Sequence, residues 1–332
     1  CSSCGDEDPS VVPEEPEVIE ISLDLEMLPL INVDFLRGVF FVSETVGFVA
    51  SYRGGLGRTT DGGHSWEALE SGTSSPLYAI HFIDQDNGYA VGGCDGSSCG
   101  GARGVVLKTE NGGDTWTLRA LPDALSFKGV AFATPEIGVA VGLGCIARTT
   151  DGGETWMVMD RPGESLHDVA FFNSSTGIAC GLRGAILKTD DAGATWSSVG
   201  EPDTWGYYDL DISGDLALAV GQATVVVSED RGDTWIEIAD DREMYAIHIL
   251  DPVTYLGVGR SSISEYEGYG ETHFTRDAGA TWTVDEYAGQ MEGLSPESFP
   301  GLHFPVPELG YAVGDRFGMA KIRVTGLQAS DE

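Results

Sequence analysis

One eight-residue string recurs six times along this chain: TTDGGHSW (Thr59–Trp66), TENGGDTW (Thr109–Trp116), TTDGGETW (Thr149–Trp156), TDDAGATW (Thr189–Trp196), SEDRGDTW (Ser228–Trp235) and TRDAGATW (Thr275–Trp282). Six of the seven tryptophans close it, at spacings of 50, 40, 40, 39 and 47 residues. The string spells a turn. Thr or Ser opens it, Asp or Asn follows two residues later, and these short side chains bond their own backbone and hold the chain tight. Glycine two residues after the acid supplies a left-handed position at no steric cost. Thr or Ser then returns the chain to extended structure, and Trp anchors it in an apolar layer. Asp61, Asn111, Asp151, Asp191, Asp230 and Asp277, with Trp66, Trp116, Trp156, Trp196, Trp235 and Trp282, therefore read as scaffold.

A second pattern precedes each copy: an apolar strand, then Gly-x-Ala-Val-Gly, then an apolar strand entering the turn. It is plainest in GVAFATPEIGVAVGLGCIARTTDGGETW (Gly129–Trp156) and DVAFFNSSTGIACGLRGAILKTDDAGATW (Asp168–Trp196). Other units run from Leu36 to Leu69, Leu77 to Arg119, Tyr207 to Ile238 and Met244 to Glu286. A period near 40 with four short strands per unit predicts an all-β fold, a seven-bladed β-propeller of four-stranded blades. The seventh unit, Gly301–Gly326, has no Trp turn and lacks one strand. The alternating stretch Glu17–Leu25 (EVIEISLDL) is expected to supply it, so that the N-terminal strand completes the last blade. Closure removes the sheet edges that invite aggregation. The expected divisions are a disordered tether over 1–16, the propeller over 17–326 and a tail over 327–332.

The repeated turn resembles the Asp box, or BNR repeat, of sialidases, sortilin-type receptors, xyloglucanases and photosystem II assembly factors. With its Gly-x-Ala-Val-Gly strand the unit resembles the Ycf48/HCF136-like group of Asp-box propellers. The resemblance covers nearly all of the chain after residue 30. It implies the fold strongly and function weakly, because one fold hosts many functions. In that group it implies a non-catalytic scaffold that binds a protein or peptide, and an arginine patch.

Acidic residues number 53 against 18 basic, a formal net charge of −35. Nucleic acid is excluded as a partner, since phosphate binding needs clustered Lys and Arg. No EF-hand-like loop and no zinc-type cysteine or histidine set is present, so no metal and no cofactor are expected. Cys94 and Cys99 bracket a short Gly/Ser loop and read as a local disulfide. Cys145 and Cys180 read either as a second pair or as two buried thiols. The opening CSSCGDEDPSVVPEEPEVIE resembles a processed bacterial lipoprotein. That resemblance implies lipidation of Cys1 and a place in the cell envelope with the lipid as the only membrane contact; a monomer is expected.

Loop lengths sort the two faces of the ring. The Trp turns join the third and fourth strands of each unit and keep one length. Variation falls at the turns between second and third strands, as at Gly93–Ala102 and Ser261–Glu271, and at the connections between units, around Glu201–Gly206 and Ala288–Pro300. Functional loops vary while scaffold loops hold, so this second face is the expected working face. Arg53, Arg103, Arg183, Arg260 and Arg316 recur there. Four of them stand five residues before another basic residue: Arg58, Lys108, Lys188 and Lys321. One reading is a positive rim that holds a carboxylate or an acidic segment by paired guanidinium bonds. The competing reading pairs each arginine with acidic neighbours in adjacent blades. Tyr52, Trp205, Tyr266 and Tyr269 are candidate aromatic contacts on the same face, or simply exposed loop aromatics.

No catalytic residues are expected. The Phe/Tyr-Arg-Ile-Pro segment of sialidases is absent, and xyloglucanase-like enzymes resemble two facing propellers with paired Asp residues in the cleft, where this chain has one. A carbohydrate-active or glycan-binding protein is the alternative function. The six histidines look scattered, and His81 and His248, at one place in the repeat, read as packing residues.

Overall fold

The computed structural model describes residues 22–28, 35–94, 103–121, 124–200, 206–239, 243–260, 270–286, 301–314 and 318–325. All regular structure among them is antiparallel β-sheet, apart from one turn of 3-10 helix at Leu182–Gly184. Five sheets have four strands and one has six. The six-stranded sheet is two units fused, because the strand Met157–Phe171 is the outermost strand of the third unit and continues as the innermost strand of the fourth. Gly138–Thr149 likewise carries the second and third strands of its unit, the turn between them being tight at Gly144, φ 67°. Counted this way, the strands form seven blades. Each inner strand lies against the next around the ring, and the last, Gly301–Val306, lies against the first, Leu36–Phe41.

The N-terminal strand Ser22–Met27 pairs antiparallel with Met319–Thr325, from Ser22 opposite Thr325 to Met27 opposite Ala320. It completes the last blade as expected, a few residues later than the sequence pattern suggests; residues 17–21 lie outside the described residues, as do the expected tether and tail.

The five boxes that carry Asp share one set of hydrogen bonds, and in the second Asn111 donates its amide to Thr115 instead. In the first, the Thr59 hydroxyl donates to Asp61 Oδ1 at 2.8 Å and accepts the Gly63 N–H at 2.9 Å, while Asp61 accepts both the N–H and the hydroxyl of Ser65 at 2.8 and 2.6 Å. These donors hold the Asp61 carboxyl down at about 2. In five of the six boxes the Trp indole donates to the carbonyl of the second turn residue after the acid, as Trp66 does to Gly63 at 3.1 Å. That glycine also meets the preceding blade: a Cβ on Gly113 would lie 2.5 Å from the Phe48 ring, and one on Gly153 2.6 Å from Tyr89.

Aromatic layers join the blades. Phe82 stacks on Phe48 of the preceding blade at 4.2 Å and takes the edge of its own Trp116 at 89°. Phe132 repeats this with Tyr89 and Trp156, and Phe41 with Tyr311 and Trp66, so the last blade joins the first in the same way. Trp196, only 8% exposed, fills the equivalent layer of the fourth blade. Trp196→Ala is expected to lower the unfolding free energy by about 3–5 kcal/mol, the cost of emptying a packed indole site, read as a shift in the urea midpoint. A loss below about 1 kcal/mol would show that the anchor role is misplaced.

Candidate functional site

The inner strands leave one edge unpaired toward the axis, and unpaired buried N–H groups are costly. Side chains of the preceding blade satisfy several of them. Asp168 Oδ2 accepts the Leu210 N–H at 3.2 Å, and Asp209 Oδ2 accepts Ile247 N–H at 2.9 Å. Asp211 Oδ2 accepts Ile249 N–H at 2.8 Å, and His303 Nδ1 accepts Phe41 N–H at 3.2 Å. The sequence offered no reason to group these four residues; the ring places them on one axial ladder.

A cavity of about 510 Å³ lies along this axis. At the end nearer the turns between second and third strands its mouth is formed by bulges. In six blades the inner strand skips one residue just after its first, and a bulge re-aims the skipped side chain. The skipped residues are Arg37, Tyr78, Lys128, His167 and Tyr208, which line the cavity, and Tyr245, which stacks behind Tyr208. All six are partly exposed. Lys128 Nζ sits 3.3 Å from the centre of the Tyr78 ring, and His167, Tyr208 and Tyr245 stack in series at 5.7 and 5.4 Å. Deeper in, Phe40, His81, Ala131, Ala170, Asp211, His248 and His303 surround the waist.

Burial sets the charge of these groups. It pushes His81 down to about 4 and His303, with His248 and His81 nearby, to about 3, so both rings are neutral. The Phe41 N–H bond to His303 Nδ1 requires the same state. His248 Nδ1 lies 2.8 Å from Asp211 Oδ2. Desolvation pushes Asp168 up to about 7. Asp209 rises well above the carboxylate range, from burial first and the Asp168 charge second. The two carboxyls hydrogen-bond each other, which requires one shared proton at neutral pH.

The expected residues fall out as follows. Arg53, Arg103 and Arg183 are exposed at the turns between second and third strands, Arg183 in a left-handed conformation at φ 62°. Arg53 lies 5.2 Å over the Phe35 ring. Arg103 and Arg183 make no ion pair among the described residues. Tyr52, 44% exposed, meets Tyr78 edge-on at 6.0 Å and so belongs to the mouth. Arg260 ends its strand, and its side chain lies outside the described residues, as do Arg316, Trp205, Tyr266, Tyr269, Cys1 and Cys99. Cys94 is buried. Cys145 and Cys180 are free, buried thiols, which settles the alternative left by the sequence; desolvation raises both and keeps them unreactive.

The basic residues five positions on have a structural use. Arg58 binds Asp114 at 2.5 Å, Lys108 binds Glu154 at 2.6 Å and Lys188 binds Asp233, each time in the box of the next blade. Cross-blade pairing therefore describes these residues and not Arg103 or Arg183. The mouth residues were missed because a bulge breaks the alternation by which side chains are sorted. The histidines looked scattered because residues over 200 apart meet only at the axis. Aligning the units on their inner strands exposes the signal: an apolar residue, then Arg, Tyr, Lys, His, Tyr or Tyr.

A closed ring of four-stranded blades carrying six such turns is an Asp-box propeller. The family model of the photosynthesis system II assembly factor YCF48 matches residues 64–164 and 161–298, and the chain belongs to that family. Among solved structures it is similar to YCF48 bound to D1 peptide (17% identity, TM-score 0.67, 90% of this chain and 96% of that one). YCF48 from Cyanidioschyzon merolae is similar at 15% identity and TM-score 0.66, over 90% of this chain and 98% of that one. The GH74 enzyme of Niastella koreensis is similar at 16% identity and TM-score 0.73, over 89% of this chain but 53% of that one, so this chain spans about half the enzyme's length. At these identities the likeness speaks for the fold. No curated protein matches the sequence.

Proposed function

We propose that the protein is a non-catalytic scaffold that binds a protein or peptide segment on the face bearing the second-to-third strand turns and the connections between blades. The observation that carries this reading is the contrast between the faces. On the box face the acids, hydroxyls and basic residues are consumed in turns and cross-blade pairs. On the other face Arg103 and Arg183 are exposed around an axial mouth of cationic and aromatic side chains. The family and the relative bound to D1 peptide support a peptide partner. A local disulfide of Cys94 with Cys99 fits the proposal by tying the insertion that precedes Arg103.

The glycosidase alternative draws on the GH74 likeness. Its carboxyl pair needs a separation of roughly 5–9.5 Å, whereas the buried pair here, Asp168 and Asp209, is in hydrogen-bond contact and occupied with backbone N–H groups. Reversing Arg103 and Arg183 to Glu is expected to abolish the specific partner cross-links of the wild type while leaving the melting curve unchanged. Full cross-linking by the folded double variant, or release of sugar from xyloglucan by the wild type, would overturn the reading.

A further inference from the structure

In a chain where acidic residues outnumber basic ones 53 to 18, none of the six mouth positions is acidic. Three are Arg37, Lys128 and His167; three are Tyr78, Tyr208 and Tyr245. They are not mixed at random. The first, third and fourth blades contribute Arg37, Lys128 and His167, with Tyr78 of the second blade under Lys128, and the fifth and sixth contribute Tyr208 and Tyr245, joined to the arc by the His167–Tyr208–Tyr245 stack. The cavity below is lopsided as well. Around the waist most blades present Phe, His or Asp, but the third and fourth present Ala131 and Ala170. Space for a side chain therefore lies beneath Lys128 and His167. The neutral His81 and His303 add no charge there, and the acids that line the same cavity, Asp168, Asp209 and Asp211, each accept a backbone N–H of the next blade.

We propose that the axial mouth is the anchor site for one acidic-aromatic segment of a protein partner. Its carboxylate sits in the arc of Arg37 and Lys128. Its aromatic side chain lies along the Tyr208–Tyr245 stack and reaches down toward Ala131 and Ala170. Charge-assisted bonds make the carboxylate contact strong, and ring stacking selects a planar neighbour. The site lies on the axis, so each ring holds one segment. The inference rests on the peptide-binding reading above and adds a central anchor to the contacts of Arg103 and Arg183 on the same face.

The test uses the full chain and fluorescence anisotropy with three labelled probes: a Glu–Tyr copolymer, poly-glutamate and polygalacturonate. The copolymer is expected to bind, poly-glutamate less tightly and the acidic glycan least. Lys128→Glu and Tyr208→Ala should each weaken copolymer binding by about tenfold or more, as expected for central interface residues. Lys128→Gln and Tyr208→Phe, the gentler changes, should weaken it less and keep the wild-type melting curve. The proposal is overturned if the wild type does not bind the copolymer, if polygalacturonate binds better, or if folded Lys128 and Tyr208 variants bind unchanged. If Arg103→Glu with Arg183→Glu abolishes partner cross-linking while the mouth variants do not, the axial anchor falls and the broader peptide reading stands.

Discussion

Asp209→Asn should leave the protein folded and remove Asp209's share of the fall in stability with rising pH while leaving Asp168's, whereas Asp209→Ala should cost about 2–3 kcal/mol. The difference follows from what Asp209 does. Its carboxyl accepts the Ile247 N–H and hydrogen-bonds Asp168, which itself accepts the Leu210 N–H. Both folded pKa values lie above their unfolded ones, Asp168 at about 7 and Asp209 also raised. Such groups contribute stability that is full below about pH 4 and is lost as pH rises through the folded values. The wild type should therefore lose stability from pH 5 to 8. Asparagine imitates the protonated acid: its carbonyl accepts from Ile247 and its amide donates to Asp168. Alanine strands the Ile247 N–H. Urea midpoints at several pH values for the three proteins decide it; parallel curves for wild type and Asp209→Asn would dispose of the shared-proton account. The boxes oppose this trend only at much lower pH, since Asp61 and Asp151 are held at about 2.

Gly142→Ala should be among the most damaging single methyls in the protein, at about 4 kcal/mol, whereas Gly214→Ala should cost about 1 kcal/mol. Gly142 ends the second strand of its blade where the incoming connection passes over it, and a Cβ would lie 1.9 Å from the Ser126 carbonyl oxygen. That atom is backbone and cannot swing away. Gly92, Gly181, Gly221 and Gly259 repeat the geometry at 1.8–2.1 Å. Gly214 has a left-handed φ of 62° but nothing within 4 Å, so only the backbone preference is lost. Chemical denaturation of both variants measures the two terms separately. Equal losses would mean that conformation, and not close approach, fixes these glycines.

Most of the blade architecture could be read from the chain because each blade repeats the same solution. Gly-x-Ala-Val-Gly records two contacts: its first glycine makes room for the inner-strand Phe, as Gly88 does for Phe82, and its last clears the returning backbone. The fifth and sixth blades show the rule from the other side. There Ile212 and Ile249 replace Phe, and Ala217 and Tyr255 replace the glycine opposite. Even the cross-blade ion pairs leave a trace: Val227 has replaced the basic residue before the fifth box, and Ala280 stands where the next box could carry an acid. The site was less legible. Arg103 and Arg183 could be picked by recurrence, but the mouth differs in residue type from blade to blade, and function there comes from the set and not from any repeated residue. The ladder of Asp168, Asp209, Asp211 and His303 is hidden for a further reason. Each member answers to an N–H one blade away, a relation with no fixed spacing in the sequence.

The pairing of Ser22–Met27 with Met319–Thr325 also governs when the ring comes into being. The strand Ser22–Met27 has no partner until Met319–Thr325 has been made. Local hairpins can form at once within each blade, but the final joint spans nearly 300 residues and bears the entropy of the largest loop in the molecule. Joining these two strands through a short linker, with new ends opened between two other blades, would turn that joint into an ordinary hairpin and move the late step of assembly to wherever the chain was cut.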